Sequence, residues 1–365
     1  MKTLLICPDL FNAEGGIARI MRLYLRALCE QAGPGGEVGC VAQLDSGDTS
    51  ARLKMLLGEH HARIDNCERS RVGFLFIVLL RGFGAHRIVC GHLHQLIIAR
   101  LAKMLNPRLD YYLVAHGIEV WRPYTLLERA ALRGTRRIFC VSEYTRRQML
   151  RFDSSLAPGQ LVVLPNTFDP VFKAGSVPPP SPGRHPRILV VSRLVNSDPY
   201  KGVDLMIEAM PAILRQFPTA QLRVVGGGDA RASLEALARE RSLGDAVRFL
   251  GLVDDAVLRD EYQSCDLFAL PSRKEGFGLV YLEAMSYGKP CVAARAGGAP
   301  EVVDDHVGAL VEYGNVEQIA LAVADLVRHP RNAKAIAARV VQFSYANFSA
   351  KLAALLEAGG DADEK

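Results

Sequence analysis

The chain has 365 residues, 49% of them hydrophobic and 23% charged, with a net charge of +5. That length exceeds one ordinary hydrophobic core, so two domains are expected, and the balance excludes a disordered or fibrous chain. The longest apolar run, Val72 to Leu80, is far short of a membrane span, and the start Met1-Lys2-Thr3-Leu4-Leu5-Ile6 lacks the apolar core and cleavage site of a signal peptide.

Short apolar runs alternate with amphipathic segments along the first half. The runs are Leu4–Cys7, Val38–Ala42, Arg87–Cys90, Tyr111–Ala115, Arg137–Val141 and Leu161–Leu164. Their length and flanking turns predict buried parallel strands, with helices such as Ile17–Cys29 and His94–Leu105 between them. Such alternation argues for a doubly wound α/β sheet. The segment Arg71 to Arg81 is apolar all round, which predicts a buried helix; one face reaching a membrane is the other reading.

The run Val177-Pro178-Pro179-Pro180-Ser181-Pro182-Gly183-Arg184-His185-Pro186 suits neither a helix nor a central strand and reads as an interdomain linker. The alternation then restarts, with strands expected at Arg187–Val191, Leu222–Val225, Val247–Leu250, Leu267–Leu270 and Cys291–Ala294. Helices are expected at Val203–Gln216, Arg231–Arg241, Ala256–Ser264 and Leu279–Tyr287. The expected organisation is a Rossmann-like domain over 1–172, a linker over 173–186, a second Rossmann-like domain over 187–341 and a disordered tail over 359–365. Ligands bind beyond the carboxyl ends of such strands, and two such sheets facing each other would form a ligand cleft.

The eight cysteines are scattered without a Cys-x-x-Cys pair, so reduced thiols in a cytoplasmic protein are expected rather than disulfides or zinc. Residues 1–170 carry 22 Lys and Arg against 15 Asp and Glu, a balance of +7 that leaves −2 for the remainder. The excess includes Arg133, Arg136 and Arg137. It suits an anionic membrane surface or an acidic acceptor, and a solvated Arg-rich face explains it equally. Nucleic acid is not an expected partner, because aromatics make up 7% of the chain and do not interleave with the arginines.

The richest stretch runs from Glu275 through Gly276-Phe277-Gly278-Leu279 to Glu283. A glycine-flanked turn opening a helix offers backbone N–H groups to an anion. Glu275 at its mouth and Glu283 two turns on are expected along one helix face, a pair of carboxylates suited to hydroxyls at both ends of a nucleotide sugar. Two solvated glutamates beside a Gly-rich helix start are the plainer reading. Smaller signals fall on other strand-to-helix turns: Gly15-Gly16, His116-Gly117, Ser192-Arg193-Leu194, Lys201-Gly202, Gly226-Gly227-Gly228-Asp229, Pro271-Ser272 and Gly297-Gly298 to Glu301. Arg193 and Lys201 could give a fork and a point charge to a diphosphate. Each signal alone suits an ordinary turn, a surface cation or a structural histidine.

As an ordered set, strongest over 187–303, these residues closely resemble the retaining family 4 glycosyltransferases of the GT-B fold. The resemblance implies two Rossmann-like domains facing a central cleft, with a last helix over about 342–358 packing back on the first. It implies that Arg193 and Lys201 neutralise the donor pyrophosphate, and that Glu275 with the N–H groups around Gly276, Phe277, Gly278 and Leu279 holds the sugar. Glu283 would take the ribose hydroxyls, and Gly227, Gly228 and Asp229 would shape the base-side wall. Gly15 and Gly16 would close on the phosphate, and His116 would lie near the reacting sugar. The implied reaction moves a hexosyl unit, with retention, from a nucleoside diphosphate sugar to a glycan or lipid-linked acceptor in surface polysaccharide or glycoconjugate synthesis. UDP is expected ahead of GDP on family frequency. No cofactor or metal is expected, since the one Asp-x-Asp, Asp361-Ala362-Asp363, lies in the tail. Attachment to the inner face of the membrane is a further expectation. A sugar-nucleotide epimerase of the same fold and a catalytically inactive transferase-like subunit are the competing readings.

Overall fold

The computed structural model describes residues 1–12, 15–33, 35–172 and 185–357. They form two units, one of residues 1–169 with the stretch from Tyr345 onward, the other of Pro170–Ser344.

The first unit runs β1 (Lys2–Cys7), α1 (Gly16–Gln31), β2 (Glu37–Ala42), α2 (Ser50–Leu57), β3 (Arg63–Asn66), α3 (Arg71–Phe83), β4 (Arg87–Cys90), α4 (Leu96–Leu105), β5 (Asp110–Ala115), α5 (Leu126–Arg133), β6 (Arg137–Cys140), α6 (Glu143–Phe152) and β7 (Leu161–Val163). Its sheet is parallel throughout, in the order β3-β2-β1-β4-β5-β6-β7. Alternation along β1 fills both faces. Leu4 and Ile6 join a core with Phe74, Val78, Leu96 and Ala99 from α3 and α4. Leu5 and Cys7 join Ile20 and Tyr24 from α1 on the other side. Both faces being covered accounts for the apolar runs.

The second unit runs β8 (Arg187–Val191), α7 (Val203–Gln216), β9 (Gln221–Val225), α8 (Arg231–Glu240), β10 (Val247–Gly251), α9 (Asp255–Ser264), β11 (Leu267–Leu270), α10 (Leu279–Ser286), β12 (Cys291–Ala294), β13 (Gly308–Val311), α11 (Val316–Arg328) and α12 (Ala333–Gln342). Its parallel sheet has the order β10-β9-β8-β11-β12-β13. The final helix, α13 (Tyr345–Glu357), belongs to the first unit. Its Phe348, Leu352 and Leu356 enter the core beside α1, and Arg87 and Arg137 donate to the carbonyls of Leu356 and Leu355.

The units divide at Asp169/Pro170. Phe172 already packs in the second unit, its ring edge-on to Tyr262 and its carbonyl accepting from Ser286. Of the expected linker only His185 and Pro186 are among the described residues, and the tail 359–365 lies outside them.

Three features differ from the sequence expectation. β3 and β13 were not expected: β3 is a half-exposed edge strand, Arg-Ile-Asp-Asn, with no apolar run to announce it. The expected buried helix over 71–81 is α3, and it is buried on one face only. Phe74, Val78 and Gly82 face the core, while Val72, Phe76, Leu80 and Phe83 are exposed. Finally, the arginines at 136 and 137 are not a free basic face, since Arg136 reaches Asp110 at 4.0 Å and Arg137 holds α13.

Candidate active site

In both sheets the strand order reverses once, between β1 and β4 and between β8 and β11. The crevice outside the carboxyl ends at such a reversal is where open α/β sheets bind ligands.

In the second unit that edge is held together by turn-to-turn hydrogen bonds. The backbone N–H of Leu194, after β8, donates to the Gly227 carbonyl at 3.0 Å, and Ala230 N–H returns to the Leu194 carbonyl at 2.8 Å. The Asp229 carboxylate accepts from Asn196 N–H at 2.8 Å, so it ties these turns together. Arg273 N–H, after β11, donates to the Tyr200 carbonyl at 2.9 Å. Gly298 N–H, after β12, donates to the Glu275 carbonyl at 2.7 Å.

Two ion pairs stand on this frame. Lys201 Nζ lies 2.9 Å from Glu275 Oε2, bringing the β8 and β11 turns together. Arg193 donates to Asp198 at 2.7 Å, and its side chain is 68% exposed. Tyr200 donates its hydroxyl to the same Asp198 carboxylate at 2.7 Å. Burial first, then the hydrogen bond to Asp198 and the charge of that carboxylate, push the Tyr200 phenol up, so it stays a donor. Arg193 and Lys201 line one pocket with Asn196, Asp198, Asp204 and Ser233. The two expected cations therefore share a pocket, each already holding a carboxylate. Asp198 and Tyr200 were not singled out in the sequence, although Asp198-Pro199-Tyr200 immediately precedes Lys201.

The Glu275 turn is more constrained than the sequence suggested. α10 begins only at Leu279, so Glu275 lies outside the helix and cannot share a helix face with Glu283. Gly278 caps the helix at φ 95°, and a Cβ there would stand 2.3 Å from the Tyr281 ring. Gly297, at φ 62°, passes so close that a Cβ would sit 2.5 Å from the Glu275 carbonyl oxygen. Both positions demand glycine. Phe277 is buried, its ring edge-on to Phe343, which anchors the turn. Glu283 is 5% exposed and accepts from Tyr262 at 2.8 Å, within an aromatic group that includes Phe172 and Tyr287.

In the first unit Gly15 caps α1, and a Cβ there would meet nothing within 4 Å. Packing therefore does not require glycine at that helix start. Across the sheet reversal, His116 follows β5 and its Nε2 lies 2.9 Å from the Gly91 carbonyl, after β4. A carbonyl only accepts, so Nε2 carries the proton and Nδ1 is the basic nitrogen of the neutral ring. Desolvation lowers the His116 pKa to about 4, the Gly91 carbonyl opposing it. Glu119 Oε1 accepts from the N–H groups of His116 and Gly117 at 2.5 and 3.2 Å, and burial raises its pKa. His92 and His94 pack edge to face at 4.8 Å on the same edge. Gln95 beside them is 2% exposed with neither amide atom hydrogen-bonded. Glu119 and His92 had no motif to mark them; Glu119 stands in the same turn as His116, and His92 comes near it because β4 pairs with β5.

Two parallel Rossmann-like sheets, one carrying two cations and a glycine-turned carboxylate at its reversal, are the arrangement expected of a GT-B enzyme. Comparison with known proteins gives the family. The group 1 glycosyl transferase profile matches residues 176–341, and the glycosyltransferase family 4 profile matches residues 15–172. A GDP-mannose-dependent alpha-(1-6)-phosphatidylinositol monomannoside mannosyltransferase of Mycolicibacterium smegmatis is 32% identical over 307 residues, covering 79% of this chain and 73% of that protein. The protein of the same name from Mycobacterium tuberculosis is 35% identical over 272 residues, 68% of this chain and 69% of that protein. Among solved structures, Anabaena Alr3699/HepE in complex with UDP and glucose superposes with a TM-score of 0.77 at 22% identity, covering 98% of this chain and 99% of that one. The chain belongs to the family 4 glycosyltransferases and is a sugar-transferring enzyme. The relatives do not support the expected preference for UDP. Among the described residues no helix is long and apolar enough to cross a membrane, and no three His, Cys, Asp or Glu side chains are grouped to hold a metal.

Proposed function

We propose that the enzyme moves a mannosyl unit from GDP-mannose, with retention and without a metal, to a lipid-linked acceptor of the phosphoinositide glycolipid type. The observation that carries the donor reading is the Lys201–Glu275 pair at the β8/β11 reversal, where a cation and a carboxylate from two separate turns meet. The base, sugar and acceptor are taken from the two relatives whose similarity spans most of this chain.

Breaking the bond between sugar and phosphate puts positive charge on the anomeric carbon and negative charge on the leaving diphosphate. Lys201 and Arg193 stabilise that leaving group, and both are fixed in advance by Glu275 and Asp198. Preorganised charge of this kind is effective because it needs no rearrangement during reaction. Glu275, holding Lys201 through Oε2, offers its other carboxylate oxygen to the sugar hydroxyls. The N–H groups at the start of α10 add their dipole to the same charge. Glu283 bonds the ribose. In the first unit, Gly15 and Gly16 are assigned to the phosphate by the family resemblance, and the neutral His116 to the reacting sugar. The leaving phosphate takes the acceptor proton on the face it departs from, which gives retention. The intact set Arg193, Lys201, Glu275, Glu283 and His116 favours turnover over an inactive subunit.

The test is release of GDP from GDP-mannose on adding phosphatidylinositol mannosides, in the presence of a chelator. Lipid-dependent release supports the reading. Release only from UDP-sugars, or only with added metal, overturns it.

A further inference from the structure

The Glu275 turn is braced by a helix that carries no ligand motif. Arg339, on α12, donates through Nη2 to the Glu301 carbonyl at 2.7 Å and through Nε to the Val302 carbonyl at 3.0 Å. That fork holds the turn after β12. Gly297 of the same turn presses on the Glu275 backbone, and its Gly298 N–H donates to the Glu275 carbonyl. The Arg339 guanidinium also lies 5.3 Å over the Phe343 ring, and Phe343 meets Phe277 edge-on at 5.4 Å and 75°. Arg339 and Phe343 thus reach the Glu275 turn along two routes, one through a neighbouring backbone and one through its own buried ring.

The turn has need of such a brace. Glu275 lies outside the helix, and Gly276 and Gly278 beside it lend little stiffness of their own. The brace itself is fixed. A planar guanidinium meets two adjacent carbonyls with separate donors while stacking on an aromatic face, a combination that lysine cannot reproduce. Arg339 Nη1 is taken by Gln342 at 3.1 Å, and Asp304 stands 3.9 Å away. Phe343 is 9% exposed, and two residues further on Tyr345 is bound within the first unit, donating to Glu30 at 2.7 Å under the Arg26 guanidinium. The chain on both sides of Phe343 is therefore anchored.

We propose that Arg339 and Phe343 are positioning residues for the donor: they hold Glu275 where its carboxylate meets both Lys201 and the sugar. Neither lines the pocket that Arg193 and Lys201 share, so neither touches the diphosphate there. A displacement of about 1 Å at a reacting site can cost about a hundredfold in rate. Loss of the brace should therefore appear in the sugar-dependent steps and spare GDP itself. The proposal rests on the assignment of Glu275 to the sugar, but the Lys201–Glu275 contact can be followed with no donor present, so the two fail separately.

The experiment compares Arg339→Lys, Phe343→Leu and the double variant with the wild type, all as the full chain. In each, kcat with GDP-mannose and phosphatidylinositol mannosides should fall by about tenfold or more, while GDP affinity by calorimetry stays within a few-fold. The double variant should lose less than the product of the single losses, since both residues act on one turn. Without donor, the melting-temperature coupling between Lys201→Met and Glu275→Gln should shrink when that cycle is repeated in Phe343→Leu. Val323→Ala, a cavity in α11 of the same unit, should lower the melting temperature and keep kcat within about twofold. Wild-type kcat in both single variants, or an unchanged Lys201–Glu275 coupling, overturns the proposal. An equal loss of GDP affinity, or a Val323→Ala that loses as much kcat, reduces both residues to fold stability and also overturns it. A wild type that does not use GDP-mannose would overturn the donor reading instead, and the ion-pair coupling would then decide on the brace.

Discussion

Lys201 and Glu275, 74 residues apart, meet at 2.9 Å with side chains only 17% and 15% exposed. Each is the other's partner, so removing one leaves a largely buried charge alone. In a double-mutant cycle, Lys201→Met and Glu275→Gln should each lower the melting temperature, and the double variant should recover part of the loss. For function the two should separate. Lys201→Met should weaken GDP binding by about ten- to a hundredfold, the worth of a charge-assisted hydrogen bond. Glu275→Gln should retain GDP binding and lose turnover. Equal loss of GDP affinity in both variants contradicts the assignment of Glu275 to the sugar.

Arg193 is largely exposed and held by Asp198. Arg193→Ala should therefore have little effect on stability, as exposed pairs contribute at most about 1 kcal/mol. It should weaken GDP far more than guanosine, since only GDP offers the diphosphate. Titration calorimetry with both ligands decides; an equal change for the two removes Arg193 from the diphosphate site.

Glu283 and Tyr262 separate a structural contribution from a binding one. The Tyr262 hydroxyl donates to the Glu283 carboxylate inside the second unit. Tyr262→Phe should lower stability by about 1–3 kcal/mol, because the buried carboxylate loses a donor, and should leave GDP affinity within a few-fold. Glu283→Gln should weaken GDP itself. Denaturant melts and GDP titrations on both variants test this. Unchanged GDP affinity in Glu283→Gln contradicts the ribose contact.

His116 gives a pH prediction with a definite sign. Burial takes the ring from 6.5 to about 4, so the folded chain holds it neutral where the unfolded chain begins to bind a proton. Stability from this group is fully present above about 6.5 and is lost as pH falls toward 4. His116→Gln should flatten that part of the stability profile. Ring resonances of His116 should titrate near 4, and a midpoint near 6.5 would contradict the buried neutral ring bonded to Gly91.

The sequence made the second unit's site legible in its parts and misread its geometry. Arg193, Lys201, Gly278, Glu275 and Gly297 stand on strand-to-helix turns, and turn chemistry is local enough to read. The Lys201–Glu275 contact is not local. It depends on β8 lying beside β11, a pairing that a parallel crossover fold makes across 74 residues. The shared helix face expected for Glu275 and Glu283 failed because periodicity cannot place a helix start, and Gly278 at positive φ sets it at Leu279. β3 stayed hidden because an edge strand needs no apolar run. The apolar segment over 71–81 was visible, but hydrophobicity alone does not say which face a helix buries. Only the packing of Gly82 on Ala102 shows that Phe76 and Phe83 point away.

The central claim is a donor site for a GDP-linked sugar, built on Arg193 and Lys201 and working without metal. The most direct measurement is calorimetric titration of GDP and UDP, in parallel, into the full chain in chelator. The account predicts that GDP binds, that it binds more tightly than UDP, and that Lys201→Met reduces GDP binding by about ten- to a hundredfold. Tighter binding of UDP, or no binding of either until a divalent metal is added, would contradict it.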